Sequence, residues 1–355
     1  MLKRTIAIII LSITYTSIFA QQGDKKVYSF LNVSPSAKLA ALGGVGVAPV
    51  YNDVGMVGYN PALLDSSLHL QAQLTHLWYL TQANLNHAAF AWHNNKIGTL
   101  SASITSLGYG SFDEYDEYGN SLGSFSARDL ALALHYSQQF SPVFNFGVSA
   151  KLIHSKLESY SSTGLAIDIG LRFRTPDKLT NTYFLARNVG VQLSAYTNSD
   201  RQPIPFELEL GGSHKFEAAP FGISLTMNNL QNWSLYKETF DNTIDLGSNK
   251  QGESGFTKVT KEFMCHVEVG LSIIPSRYFY VMGGYNFRRN NELTDVNSRA
   301  GGLSAGFAVN IKFVELCYSY ANYNTAGSAN RIGILVKISE AGKKNLKSNT
   351  RNSIQ

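Results

Sequence analysis

The densest group of reactive side chains is Asp113, Glu114, Asp116 and Glu117, interleaved with Tyr115 and Tyr118. Carboxylates set this close repel one another. Bulk solvent, a bound calcium ion or a basic protein surface would each favour them. The spacing is not that of an EF-hand loop, which leaves a solvated loop as the plain reading. A protein-docking edge is the functional reading, since tyrosines are good interface anchors, and an adventitious cation site is a third. A second polar cluster, Tyr285, Arg288, Arg289 and Asn290, has the chemistry to pair with lipid phosphates or a partner's carboxylates at a membrane rim.

Recognisable catalytic signatures are missing from the sequence. Penicillin-binding chemistry needs Ser-x-x-Lys and Lys-Thr-Gly. Ser36 is followed at once by Ala37 and Lys38, the wrong spacing, and no Lys-Thr-Gly occurs. The histidines at 69, 76, 87, 93, 135, 154, 214 and 266 are scattered and form no zinc motif. His69, His76, His87 and His93 fall on one expected hairpin and read as girdle or lumen residues. No phosphate loop and no serine elbow is present. The expectation is a non-enzymatic protein with no catalytic residue, no metal site and no cofactor.

These side chains must be carried by something, and the composition narrows what. Charged residues make up 15 % of the chain, below the roughly 25 % of an ordinary soluble protein. Aromatics reach 12 %, with 30 glycines in 355 residues. An apolar outer band around a polar lumen has this balance. The formal charge of +5 is partly C-terminal, at Lys343, Lys344, Lys347 and Arg351. No basic groove interleaved with aromatics appears, which argues against nucleic acid as a partner. Cys265 and Cys317 are far apart in strand-like segments and read as small apolar residues rather than a redox pair.

Residues 1–20 read as a signal peptide: Lys3 and Arg4 precede an apolar run too short to span a bilayer as a helix. After it, period-two alternation repeats along the chain. Leu165, Ile167, Ile169, Leu171 and Phe173 alternate with Ala166, Asp168, Gly170 and Arg172. Phe144, Phe146, Val148, Ala150 and Leu152 alternate with Asn145, Gly147, Ser149 and Lys151. An extended strand sends the two sets to opposite faces. A charge at the bilayer midplane costs about 2 to 4 kcal/mol, so the Leu/Ile/Phe set must be the one facing lipid.

About fourteen such segments can be placed: 68–79, 85–93, 96–107, 125–137, 143–154, 162–174, 182–189, 204–216, 221–229, 262–273, 277–289, 299–309, 312–323 and 330–338. The count suits a closed all-β transmembrane antiparallel β-barrel, which has no edge for lipid to meet. Longer connections are expected at 108–124, 190–203 and 230–261. Residues 21–67 alternate poorly and form a lead-in or plug element. They contain a possible helix from Ser36 to Leu42, capped by Ser34 or Ser36 and ended by Gly43 and Gly44. The barrel spans 68–339, and 340–355 is a basic, disordered tail by composition.

The stretch Phe30–Leu31 through Ser36, Ala37, Leu42, Gly43 and Gly44, followed by Asn60, Pro61 and Ala62, resembles the PorQ family of the Bacteroidetes type IX secretion system, relatives of PorV and of FadL-type barrels. "GYGSFDEYDEYGNSLGSFSARDLALALHYSQQF" (108–140), "ARNVGVQLSAY" (186–196) and "YSYANYNTAGSANRIGI" (318–334) are similar to the same family. The resemblance implies a FadL-like barrel of about 14 strands in the outer membrane of a Gram-negative, Bacteroidetes-like bacterium. It implies an anchor for a PorZ-like surface protein and, through it, an attachment complex with PorU and PorV, close to outer-membrane lipid or lipopolysaccharide. The alternative is a FadL-like channel or transporter for a hydrophobic small molecule. The inward Asp168, Arg172, Lys151 and Lys337 argue for a polar, plugged interior, which still leaves room for a local apolar pocket near the N-terminal element.

Overall fold

A computed structural model describes residues 26–44, 49–51, 53–79, 82–197, 201–236, 255–293, 301–324 and 327–339. Fourteen antiparallel strands close into a barrel in which each strand pairs with its sequence neighbours and β1 pairs with β14. The strands are β1 (Gln71–Tyr79), β2 (Ala83–Asn94), β3 (Gly98–Tyr115), β4 (Ser121–Ser141), β5 (Phe144–Leu157), β6 (Tyr160–Arg174) and β7 (Thr180–Ser194). They continue as β8 (Glu207–Lys215), β9 (Phe221–Met227), β10 (Val267–Ser276), β11 (Phe279–Asn286), β12 (Leu303–Ile311), β13 (Val314–Asn324) and β14 (Gly327–Lys337). The closing seam aligns Gln71 with Lys337 and Trp78 with Asn330. Among the described residues no helix is long and apolar enough to cross a membrane.

The alternation falls as the sequence demands. Leu165, Ile167, Ile169 and Phe173 are exposed on the outer wall while Ala166, Asp168 and Arg172 are buried inside. Phe140, Phe144 and Phe173 stack along one rim, the aromatic girdle expected where the wall meets the interface. The signal segment 1–20 and the tail 340–355 lie outside the described residues.

Several boundaries differ from expectation. The segment 108–124 is not a long loop: β3 and β4 continue as a ladder past the wall and turn at residues 116–120. Beyond the bilayer both faces of a ribbon meet water, so the ladder persists after the hydrophobic alternation has stopped. β7 likewise runs to Ser194, inside the expected loop 190–203. The segment beginning at 262 is not yet strand; it ends a helix, α3 (Gly255–Cys265), and β10 starts at Val267. Cys265 is therefore helical, whereas Cys317 is an inward residue of β13, and both are free thiols. Arg288 and Arg289 belong to a short helix, α4 (Phe287–Leu293), rather than to a hairpin rim.

Inside the barrel lies the N-terminal element. It comprises a 3-10 turn (Ser29–Asn32), α1 (Ala37–Ala41), α2 (Val54–Val57) and two further 3-10 turns, Pro61–Leu63 and Ser66–Leu68. It is a plug, buried almost throughout. Ser36 occupies the N-cap position of α1 but its hydroxyl makes no cap bond, and Ser34 Oγ donates instead to the Ser36 carbonyl, 3.4 Å. Gly43 ends α1 at φ 126°, a left-handed conformation open to glycine, and the Gly44 N–H donates back to the Leu39 carbonyl, 3.0 Å. Asp53, Asn60 and Asp65 cap the other turns through their side chains.

Candidate functional site

The lumen is built in two chemically different layers. The first is an ionic belt that ties plug to wall. Lys38 of α1 is 2.8 Å from Asp53 and also pairs with Glu315 of β13, with all three side chains nearly inaccessible. Burial alone would push the Lys38 ammonium down; Asp53, the Tyr280 hydroxyl and Glu315 hold it well above its ordinary range. Asp65 meets Arg172 of β6 at 3.0 Å. Arg187 of β7 contacts Glu207 at 3.1 Å and Glu209 at 3.3 Å, and donates to the Leu31 carbonyl at 2.7 Å. Its guanidinium lies 3.5 Å from the Tyr59 ring centroid, and Tyr59 donates to Glu209, 2.7 Å. On the wall itself Lys151 pairs with Asp168 at 2.6 Å, and His135 bridges Ser149 and Ser103. Cutting one partner of such a buried pair costs about 3–5 kcal/mol, because the other charge is left buried and uncompensated.

Close backbone approach completes the seating. A Cβ on Gly147 would fall on the backbone of Pro61, and one on Gly284 on the backbone at Leu42 and Gly43. These two wall glycines are the hollows into which the Asn60–Pro61–Ala62 turn and the end of α1 fit. Asn145 Nδ2 donates to the carbonyls of Ala62 and Leu64, at 2.9 and 3.0 Å. Arg289, expected at an outer or inner rim, is buried and donates to the Gly43 carbonyl just past α1 at 2.6 Å, while the Ser304 hydroxyl donates to the Ala41 carbonyl at the α1 end, 3.0 Å.

The second layer is apolar. Leu77 of β1 faces Leu85 of β2, which faces Leu107 of β3, in one cross-strand row. All three are buried on the inner side, with Ile153 of β5 and Ala131 of β4 beside them. Val27, Phe30 and Leu31 of the plug fill the hollow they line, together with Ile204 from the β7–β8 connection. This half of the lumen lies toward the longer connections, where Val27 N–H donates to the Pro203 carbonyl at 3.1 Å. The interior is polar at the belt, and above it the plug packs on an apolar patch with buried Asp129, Ser162 and Gln192 beside it. Between plug and wall, beside Phe30, Gly58, Ser103 and Arg187, a void of about 30 Å³ remains. That is room for about one water molecule, so no wide aqueous passage runs through this region.

The structure thus brings Phe30, Leu31, Ser36, Ala37, Leu42, Gly43, Gly44, Asn60, Pro61 and Ala62 together in the lumen. It keeps Asp113, Glu114, Tyr115, Asp116, Glu117 and Tyr118 apart, on the tip of the β3–β4 hairpin. There Asp116 accepts from the Tyr118 and Asn120 N–H groups, at 2.9 and 2.8 Å, and from Asn120 Nδ2. These bonds, led by the Asn120 side chain, hold its carboxyl below the usual range. Among the described residues no group of three or more His, Cys, Asp or Glu could hold a metal ion. His266, next to Cys265, donates from Nδ1 to the Asn228 carbonyl, 2.7 Å. The functional residues that sequence reasoning missed are Leu77, Leu85 and Leu107, Lys38 with its carboxylates, and Arg187 with Glu207 and Glu209. The leucines share strand parity with buried polar residues such as Gln73 and His87, and that parity was the available signal.

No protein-family model and no curated protein sequence matches the chain. Solved structures do. The toluene transporter TodX of P. putida superposes with a TM-score of 0.52 at 11 % identity, over 86 % of this chain and 98 % of that one. A FadL homologue of Pseudomonas aeruginosa gives 0.49 at 10 % identity, over 85 % and 98 %. CymD, a monoaromatic hydrocarbon channel, gives 0.41 at 13 %, over 87 % and 97 %.

The fold is FadL-like. The chain is a fourteen-stranded barrel of outer-membrane type, with the architecture typical of Gram-negative bacteria. The expectation of a type IX attachment-complex anchor is corrected. The solved structure the chain superposes on is that of a protein named as a toluene transporter, and on the lumen wall Val27, Phe30 and Leu31 of the plug complete an apolar cluster. In this FadL-like barrel Lys38–Glu315 and Arg172–Asp65 pair plug with wall, while Lys151 with Asp168 and Arg187 with Glu207 and Glu209 pair strand with strand.

Proposed function

We propose that the protein is an outer-membrane channel or carrier for a small hydrophobic solute, with Val27–Leu31 occupying the solute's pocket in the closed state. One observation carries this reading: the inner wall turns apolar at Leu77, Leu85, Leu107 and Ile153, and the chain's own N-terminal segment covers it. A lumen whose task was only to hold a plug would be served by the ionic belt. The longer connections face outward and the short turns face the periplasm, as is usual in such barrels. The solute enters from the outside by displacing Phe30 and Leu31, and the belt below prevents a leak. Toluene is the probe to use. Binding of toluene to the purified full-length protein, weakened by Leu85→Gln or Leu107→Gln, is expected. Expression in cells whose outer membrane excludes apolar solutes should speed toluene uptake. Absence of both effects would refute the reading.

The projecting β3–β4 hairpin supports a second, separate role. Tyr115 and Tyr118 are 60 % and 88 % exposed among carboxylates, a combination suited to docking a basic protein surface. The sequence resemblance to PorQ, a finer level of kinship than the fold, makes a PorZ-like surface protein the partner to try first. An affinity pull-down from detergent-solubilised membranes tests this independently of transport, by comparison with a variant carrying Tyr115→Ala and Tyr118→Ala. Equal recovery with both proteins would remove the hairpin from consideration.

A further inference from the structure

At the short-turn mouth, a pocket of about 550 Å³ opens between the plug turn Ser66–Leu68, the β4–β5 turn and the β6–β7 turn. Arg172, Arg174 and Lys178 line it against a single carboxylate, Asp65. Arg172 is 97 % buried: its exposure is 3 %. Its NH2 is held by Asp65 at 3.0 Å, and the Tyr183 hydroxyl stands beside the guanidinium as a second hydrogen-bonding neighbour. Arg174 gives its Nε to Asn181, and its NH2 lies 3.9 Å from Asp65, too far for a hydrogen bond. Lys178 sits on the turn at φ 63°. Ser67, Ser141 and Gln139 add neutral hydrogen-bonding groups on the same walls.

Guanidinium presents five donors. Here two guanidinium groups and an ammonium line a pocket that holds one carboxylate and has room for a ligand. From this geometry we propose that the pocket is an anion site, taking a carboxylate or phosphate group in a fork between Arg172 and Arg174. The anion competes with Asp65 for Arg172. Its binding therefore loosens the turn that fastens the end of the plug to the wall.

The test uses the full-length protein in non-ionic detergent, titrated by calorimetry with octanoate, octanol, inorganic phosphate and toluene. The variant carries Arg174→Gln and Lys178→Gln, which leaves the Arg172–Asp65 pair intact. Octanoate is expected to bind at least tenfold tighter than octanol to the unmodified protein, and to fall to the octanol level in the variant. Phosphate binding that is abolished in the variant also supports the site, and assigns the ligand to a free anion if octanoate shows no advantage over octanol. Octanoate and phosphate binding that is unchanged in the variant would overturn the proposal, as would no binding of either. Variant-sensitive anion binding without toluene binding would retire the transport reading and leave the anion site standing.

Discussion

Phe30→Ala tests the solute pocket most directly. Phe30 is 2 % exposed and packs into the hollow lined by Leu77, Leu85 and Leu107. Replacing a buried Phe by Ala costs about 3–5 kcal/mol. Roughly 1.5–3 kcal/mol of that is lost transfer energy. The remaining ~1.5–2 kcal/mol belongs to the hole, which at about 24 cal/mol per Å³ corresponds to ~60–80 Å³. A toluene molecule that fills the hole recovers much of this term, and it no longer has to displace an aromatic side chain. Since 1.4 kcal/mol is tenfold in affinity, toluene should bind about 10- to 30-fold tighter to the variant. Calorimetric titration in detergent reads this directly. Phe221→Ala, on the lipid-facing wall of β9, is the control and should leave the affinity unchanged. A Phe30→Ala protein that melts cooperatively yet binds toluene no better than the parent would show that this segment is not seated in the solute's place.

Three further outcomes follow from the ionic belt and the glycine hollows. Lys38→Met strands Asp53 and Glu315 without their cation, and a loss of about 3–5 kcal/mol is expected in thermal or urea unfolding. Gly284→Val drives a side chain into the backbone at Leu42, so the plug must shift; ion conductance in planar bilayers should rise well above that of the parent. The Asp65 carboxyl, which burial pushes up, is brought below its ordinary 3.8 by Arg172 and Ser67. A depressed carboxyl stabilises the folded state above its unfolded value and loses that contribution as pH falls through the folded one. Protease access to the plug should therefore stay constant from pH 7 to about 5 and rise only below about 4, and Asp65→Asn should abolish that acid step.

The wall was legible in the sequence because lipid imposes a strict rule on it. Leu165, Ile167 and Ile169 had to face outward once Asp168 and Arg172 could not. Where lipid is absent the rule lapses, and there the reading failed. The hairpin beyond Gly108 keeps its ladder without hydrophobic alternation. The helix ending at Cys265 carries Glu262, which accepts from the Leu235 and Tyr236 N–H groups, a long-range contact that no local pattern announces. The apolar row Leu77–Leu85–Leu107 was missed for the opposite reason: an apolar residue on the inward face weakens the alternation that identifies the outward one. The plug was recognised as a compact element, but its partners were beyond reach. Lys38 meets Glu315 and Arg289 meets Gly43 only after the whole barrel has closed between them.

That closure has a consequence for biogenesis. The plug touches β5 and β6 through Pro61 and Ala62, and β11 through Leu42 and Gly43, on opposite sides of the ring. The seam that completes the ring joins the first strand to the last, Gln71 to Lys337. A plug gripped from both sides cannot be threaded afterwards through a lumen it fills, so it must be enclosed as the sheet curls around it. The first strand to follow the plug is also the strand that shuts the ring, and the order of synthesis and the order of assembly meet at that one pairing.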